Sequence, residues 1–244
     1  AEDDDAAPIV IYAKNPGSWG NKITLKVTPA SKAKTQVLEI IETSNDIKYR
    51  VKNANGFSAG DVVVFEGPNG KVYNKVTSVD ENILTFEDLF DNSVVDISLI
   101  PKKVISTCEV DIEVKYDNIV ENYEACSFNI DAPEFISQKL IKSELVTVDA
   151  KSTGEIISPF KLISGNDDGE FIISLFGGTN GTLEALSSAD FIGEDKGPGD
   201  RTGIQSFIDN NEVSIMAVPG VTDPQVELTL VAHCEAMTNR FAIL

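Results

Sequence analysis

Apolar Ile23, Leu25 and Val27 alternate with Thr24, Lys26 and Thr28, and the same period of two returns far along the chain. There Cys108, Val110, Ile112 and Val114 alternate with Glu109, Asp111, Glu113 and Lys115. A period of two marks a strand with one buried face. Asp117-Asn118 turns the second strand into a hairpin with Ile119 to Tyr123, and Ile23 to Val27 is its natural sheet partner. Between these pieces, from Gln36 to Leu99, the apolar stretches are short: Val37 to Ile41, Ile47 to Val51, Val62 to Phe65, Lys71 to Val79, Ile83 to Phe86. Turn-forming Gly56 to Asp61, Gly67 to Gly70 and Asp80 to Asn82 separate them, at the spacing of roughly ten residues typical of a small barrel or sandwich. Pro101 marks the exit.

The pattern then changes. Ala132-Pro133 opens a helix over Glu134 to Lys142, followed by a strand at Leu145 to Val148. Phe171 to Phe176 reads as a strand ending in the turn Gly177 to Gly181, and helices are expected over Leu183 to Phe191 and Thr202 to Asn210. The unbroken apolar run Val213 to Val218 predicts a strand covered on both faces. Thr222 or Asp223 caps the next helix, Pro224 suits its first turn, and Val226, Leu230, Cys234 and Met237 form its buried stripe. Phe241 to Leu244 is a following strand, which should pair in parallel through a right-handed crossover.

The expected fold is therefore mixed α+β. Residues 1–35 and 107–150 form a discontinuous outer antiparallel β-sheet domain, 36–106 an inserted small β-barrel or sandwich, and 151–244 an α/β strand–helix–strand core portion.

Composition narrows the function classes. A formal net charge of −19 over 244 residues repels phosphate backbones and disfavours nucleic acid as a direct partner. Three cysteines, an odd count without metal-type spacing, read as reduced thiols in a reducing compartment. No apolar run approaches the roughly 18 residues of a membrane span, so no membrane insertion is expected. The opening Ala1-Glu-Asp-Asp-Asp-Ala-Ala-Pro8 lacks the basic and apolar regions of a secretory signal. Both ends read as interior to a longer protein.

The candidate motifs carry little chemistry. Gly193 to Gly203 invites comparison with a phosphate loop, but Asp200-Arg201-Thr202 stands where Gly-Lys-Ser/Thr is needed, and an aspartate there repels phosphate. It reads as a structural turn at a helix start. His233, the single histidine, falls on the buried stripe without a histidine partner, and a hydrogen-bonded core histidine is favoured over a catalytic one. No Gly-x-Ser-x-Gly elbow is present. Asp3 to Asp5 and Asp167-Asp168 read as solvated loops in preference to weak calcium sites. Pro16-Gly17 suits a type II turn, and Trp19, between Gly17 and Gly20, reads as a packing anchor. No catalytic residue, cofactor or metal ligand is assigned.

Several of these segments together resemble the tail sheath protein of contractile phage tails and related contractile injection systems, including bacteriocin-like particles. The matching pieces are Asn15-Pro-Gly-Ser-Trp-Gly-Asn-Lys22, Gly178-Thr-Asn-Gly181, Asp190-Phe-Ile-Gly193 and Gly199-Asp-Arg-Thr-Gly203. They continue with Val213 to Pro219-Gly-Val-Thr-Asp223 and with Ala232-His-Cys-Glu235 to Arg240-Phe-Ala-Ile-Leu244. The resemblance implies a structural protein that polymerises as stacked six-fold rings around an inner tube and shortens to drive that tube through an envelope. The implied partners are copies of the chain itself and the tube protein. The implied setting is assembly in a host bacterial cytoplasm, then a virion tail or released particle. Set beside the family, the resemblance implies that this chain is a fragment without the N- and C-terminal arms and the C-terminal part of the core. The residues that the resemblance and the turn chemistry select as an assembly motif are Asn15, Pro16, Gly17, Trp19, Gly20, Gly193, Gly199, Arg201, Thr202, Gly203, Pro219, Gly220, Asp223 and His233. The alternative is a β-domain binding module for a receptor or glycan, attached to an α/β scaffold. It calls for exposed aromatics, whereas Phe57, Phe65, Tyr73 and Phe86 read as interior strand residues. An enzyme would need a pocket of converging ionisable groups, and the sequence offers no residues for one.

Overall fold

The structure, a computed structural model, describes residues 9–42, 47–67, 70–87, 104–151, 156–182 and 185–244. The acidic Asp3 to Asp5, Pro101 and the centre of the Gly67–Gly70 turn lie outside them. The fold is mixed α+β, and the chain divides into two compact units, Ala1–Asn180 and Gly181–Leu244.

In the first unit, β1 (Ile9–Ala13) pairs antiparallel with β11 (Val146–Ala150). β2 (Thr24–Ala30), β9 (Glu109–Tyr116), β10 (Ile119–Cys126) and β12 (Phe171–Ser174) form an antiparallel sheet in the order β10-β9-β2-β12. The period-two pattern sets the register. Leu25 faces Val114 and Val27 faces Ile112 across β2 and β9, and all four are buried. That face packs on Phe135, Ile136, Leu140, Val146 and Phe160. The short helices α1 (Ile136–Lys139) and α2 (Pro159–Ser164) contribute to this layer.

Between β2 and β9 the chain forms a closed barrel. Its strands are β3 (Lys34–Glu42), β4 (Ile47–Val51), β5 (Val62–Gly67), β6 (Gly70–Asp80), β7 (Ile83–Phe86) and β8 (Val104–Thr107), in the order β3-β4-β7-β6-β5-β8. The long β3 closes the ring. Lys34 to Gln36 pair with β8 and Val37 to Glu42 with β4, and an irregularity between Val37 and Glu39 falls at the start of the β4 pairing. Such a bulge bends the strand round the corner. Phe65, Val63, Val76, Leu84 and Ile105 fill the interior, with Tyr49 set edge-on to Phe86 at 5.2 Å. Closure leaves the barrel no sheet edge to protect.

The second unit contains α3 (Ser188–Ile192), a 3₁₀ turn over Gly203–Phe207, β13 (Ile215–Ala217), α4 (Pro224–Met237) and β14 (Phe241–Ile243). β13 and β14 pair in parallel. α4 begins where Asp223 accepts from the Gln225 and Val226 amides, at 2.8 and 3.4 Å, with Pro224 in its first turn. It buries Val226, Leu230, His233 and Cys234, whereas Met237 is half-buried.

Several expectations need correction. Helix Glu134–Lys142 begins only after Phe135 and tightens to 3₁₀ geometry at Leu140–Lys142. The start of the expected Leu183–Phe191 helix, residues 183–184, lies outside the described residues, and among those described α3 starts at Ser188, where Ser187 and Asp190 form a reciprocal capping box. Thr202–Asn210 yields only the 3₁₀ turn, whose Ser206 hydroxyl bonds back to the Gly203 carbonyl. Residues 156–180, grouped with the C-terminal portion in the sequence, belong to the first unit, where β12 adds to β2 as a sheet edge. The Val213–Val218 run is not covered on both faces. Met216 is buried beneath α4, but Ile215 is 64 % exposed.

Candidate assembly surfaces

The fourteen selected residues fall into two groups, one in each unit. In the first unit, Asn15 to Lys22 forms a loop and a 3₁₀ turn over Ser18–Lys22. Gly17 sits at φ 141°, ψ 161°, a conformation open only to glycine, so the expected type II turn is absent. The reason is a close approach. The Gly17 carbonyl passes so near Gly178 that a Cβ on Gly178 would lie 2.4 Å from it. Side chains lock the two segments together. Asn21 accepts from the Gly178 amide at 2.7 Å and donates to the Gly178 carbonyl at 2.8 Å, and the Asn180 Oδ1 accepts from the Ser18 amide at 2.7 Å. Trp19 donates Nε1–H to the Asn15 carbonyl and stands edge-on to Tyr116 at 5.3 Å, as a packing anchor would. Gly20 is buried, and a Cβ there would meet Ala13 at 2.7 Å. Asn15, Pro16 and Gly17 also border an apolar cavity of about 880 Å³, whose walls include Ile9, Ile11, Leu25, Leu162 and Phe171.

In the second unit, Gly193 to Gly203 closes on itself. The Thr202 amide donates to the Glu194 carbonyl, the Thr202 hydroxyl accepts from the Glu194 amide at 2.9 Å, and a Cβ on Gly193 would lie 1.9 Å from the Thr202 carbonyl oxygen. Arg201 bridges the loop, bonding Asp195 at 2.7 Å and also pairing with Asp209. The Gly197 amide and Arg201 hold the Asp195 carboxyl below the usual carboxylate range. Gly199 turns the loop tip at φ 90° with open space around it. Pro219 and Gly220 make the turn before α4, with Gly220 at φ 80°. The Ser188 hydroxyl and the first amides of α4 hold the Asp223 carboxyl below the usual carboxylate range.

His233 meets a residue outside the selected set. Arg240, only 5 % exposed, donates Nη1–H to the Phe207 carbonyl and lies 3.1 Å from His233 Nε2. Its Nη2 donates to the Asn210 carbonyl at 2.7 Å and its Nε to the Asn239 side chain. Since arginine only donates, His233 Nε2 accepts and the ring is neutral. Burial and the adjacent guanidinium both lower its pKa. This buried node ties α4 to the 3₁₀ turn and to the approach to β14. Sequence reading missed it, although Arg240 belongs to the terminal motif.

Two other groups bear on function. Beyond α4's cover, Ile215, Phe241 and Ile243 leave 64, 78 and 56 % of their surfaces exposed on the β13–β14 pair. In the barrel the described aromatics are interior or engaged: Tyr49, Phe57, Phe65 and Phe86 are buried, and the Tyr73 hydroxyl bonds Asp167 at 3.0 Å. Asp167 and Asp168 lie exposed in a bend, as expected of solvated loop residues, and pair at the surface with Lys161 and Lys71. No helix among the described residues is long and apolar enough to cross a membrane. Comparison of the sequence with protein-family models and with curated proteins finds no match in either.

Proposed function

We propose that the chain is a structural subunit of a contractile tail sheath, polymerising through copies of itself as stacked rings around an inner tube. The observation that carries this reading is the β13–β14 pair. Parallel strands ordinarily have both faces covered, yet here only one face meets α4 while Ile215, Phe241 and Ile243 stand in solvent. A contiguous apolar surface of this kind suits burial in an assembly. The rigid loops support the same reading. The Asn15–Lys22 loop clasped to Gly178–Asn180 and the Arg201-bridged Gly193–Gly203 loop are fixed by internal bonds. Rigid, glycine-shaped surfaces of this type suit a subunit that works by moving as a body between two packed states. Contraction would then draw on the difference in interface free energy between the two states. Electron microscopy of the intact protein tests this. Rings or tubes of regular subunits are expected, and dispersed monomers at every concentration would contradict it.

A further inference from the structure

The barrel joins the sheet through only two chain crossings, residues 31–33 between β2 and β3, and Cys108 between β8 and β9. One buried polar cluster spans both. Lys32 Nζ lies 3.0 Å from each carboxylate oxygen of Asp61, 4.0 Å from Glu109 Oε1 and 3.8 Å from Glu134 Oε2. Glu109 Oε2 accepts from the Lys32 amide at 2.8 Å and from the Thr107 hydroxyl at 2.7 Å. From the sheet side, Asn129 Nδ2 donates to the Ala59 carbonyl at 2.8 Å and to Asp61 at 2.9 Å. Its amide packs so closely on Gly60 that a Cβ there would meet Asn129 Oδ1 at 2.6 Å. The side chains of Asp61 and Glu109 are 0 and 1 % exposed. Beside the cluster lies a small cavity of about 110 Å³ bordered by Gly60, Cys108, Ser127 and Asn129.

The charge count does not balance. One ammonium, Lys32, faces the carboxylates of Asp61, Glu109 and Glu134, and two of those three carboxylates are buried. Cys108 adds no charge, since burial and the neighbouring Glu109 push its thiol up. A buried carboxylate without its own counter-charge is costly. We infer that this cluster is a proton-operated latch: a proton on Glu109 holds the barrel against the sheet, and its loss loosens that seam. Burial, opposed by the Thr107 and Lys32 hydrogen bonds, raises the Glu109 carboxyl from 4.5 to about 7. A second contact remains in place through this range. Lys71 and Tyr73 on β6 reach Asp168 and Asp167, and neither partner in the Tyr73–Asp167 bond titrates near neutrality, because the phenol is raised and the carboxyl lowered. The barrel can therefore loosen at the crossings while β6 stays tethered.

The sign follows from the proton count. Between 4.5 and about 7 the closed form holds a proton that the opened form releases. Opening should therefore become about tenfold more frequent per pH unit across that window and level off above it. Native-state hydrogen exchange of the Lys32, Ala33 and Ser58 amides from pH 5 to 9, corrected for intrinsic rates, reads this directly. Each of these amides bonds within the cluster. The expected result is that tenfold slope with a plateau, abolished in Glu109→Gln, while the Val64 and Phe65 amides inside the barrel remain better protected. Carbon-13 titration of the Glu109 carboxyl in the unaltered protein gives an independent reading, with a midpoint near 7 expected. A flat exchange profile in the unaltered protein, an unchanged slope in Glu109→Gln, or a carboxyl midpoint near 4.5 would each overturn the latch.

Discussion

The barrel and the β13–β14 unit solve the same problem in opposite ways. Both are small β structures, but the barrel closes on itself, with Phe65, Val63 and Ile105 at 1 % exposure or less. The β13–β14 pair stops at two strands and leaves Phe241 78 % exposed. A closed ring satisfies its backbone internally and gives a partner no strand edge. An open pair with one bare apolar face is incomplete by itself. Of the two, the β13–β14 pair is the one left open to a partner, while the barrel is a self-sufficient insert.

The largest expected contrast comes from truncating one side chain in each region. Phe65→Ala should cost about 3–5 kcal/mol, as large-to-small changes in packed cores do. Ile215→Ala in the isolated chain should change stability by no more than about 0.5 kcal/mol. Urea denaturation of the two variants measures both, and equal losses would show that the β13–β14 face is covered. Next in size is Gly193→Ala. It sets a Cβ 1.9 Å from the Thr202 carbonyl oxygen at a φ of 75°. A loss of about 3 kcal/mol, near the top of the range for strained backbone positions, should be confined to the second unit by hydrogen exchange. Arg240→Met should follow at about 1–3 kcal/mol, since it removes the buried donor to His233 Nε2 and the part-buried bonds to the Phe207 and Asn210 carbonyls. Asp223→Ala removes the cap of α4, for about 1 kcal/mol, read as faster exchange in the first turn alone.

The smallest effect is a pH dependence. Because the folded state holds the His233 pKa below its ordinary 6.5, the unfolded chain binds the proton first as pH falls. The second unit should be most stable above that value and weaken as the solution is acidified through it, until folded His233 itself protonates. Protection of the α4 amides between pH 8 and 5 checks the direction, and His233→Gln should flatten the profile.

How much of this was legible depended on whether one residue's environment could be inferred from its neighbours. β2 and β9 were, because their alternation reflects a sheet with one buried face, and the turn-punctuated segment between them closes into a barrel. Glu109 was not. It continues the polar row of Asp111 and Glu113, yet it begins β9 at the barrel junction, where the row is buried instead of solvated. The Val213–Val218 run misled for the converse reason, since uniform apolarity is the same whether the second face is covered by this chain or by another surface. Among the selected residues, Gly17 and Gly193 were recognisable as backbone requirements, but the approaches of Gly17 to Gly178 and of Gly193 to Thr202 arise only in the folded chain. The Arg240–His233 node was hidden because Thr238 turns the chain at φ 59° after α4, bringing the arginine back beneath its own helix.

On the proposed function, the bare β13–β14 face is where copies of the chain meet. Electron microscopy and sedimentation of the intact protein, compared with its Phe241→Asp variant, test it most directly. The account expects regular rings or tubes from the unaltered protein. The variant should give dispersed subunits with unchanged circular dichroism, because a charge at a position 78 % exposed in the free chain disturbs contacts without disturbing the fold. Assemblies that form equally well with Phe241→Asp, or an unaltered protein that never assembles, would contradict it.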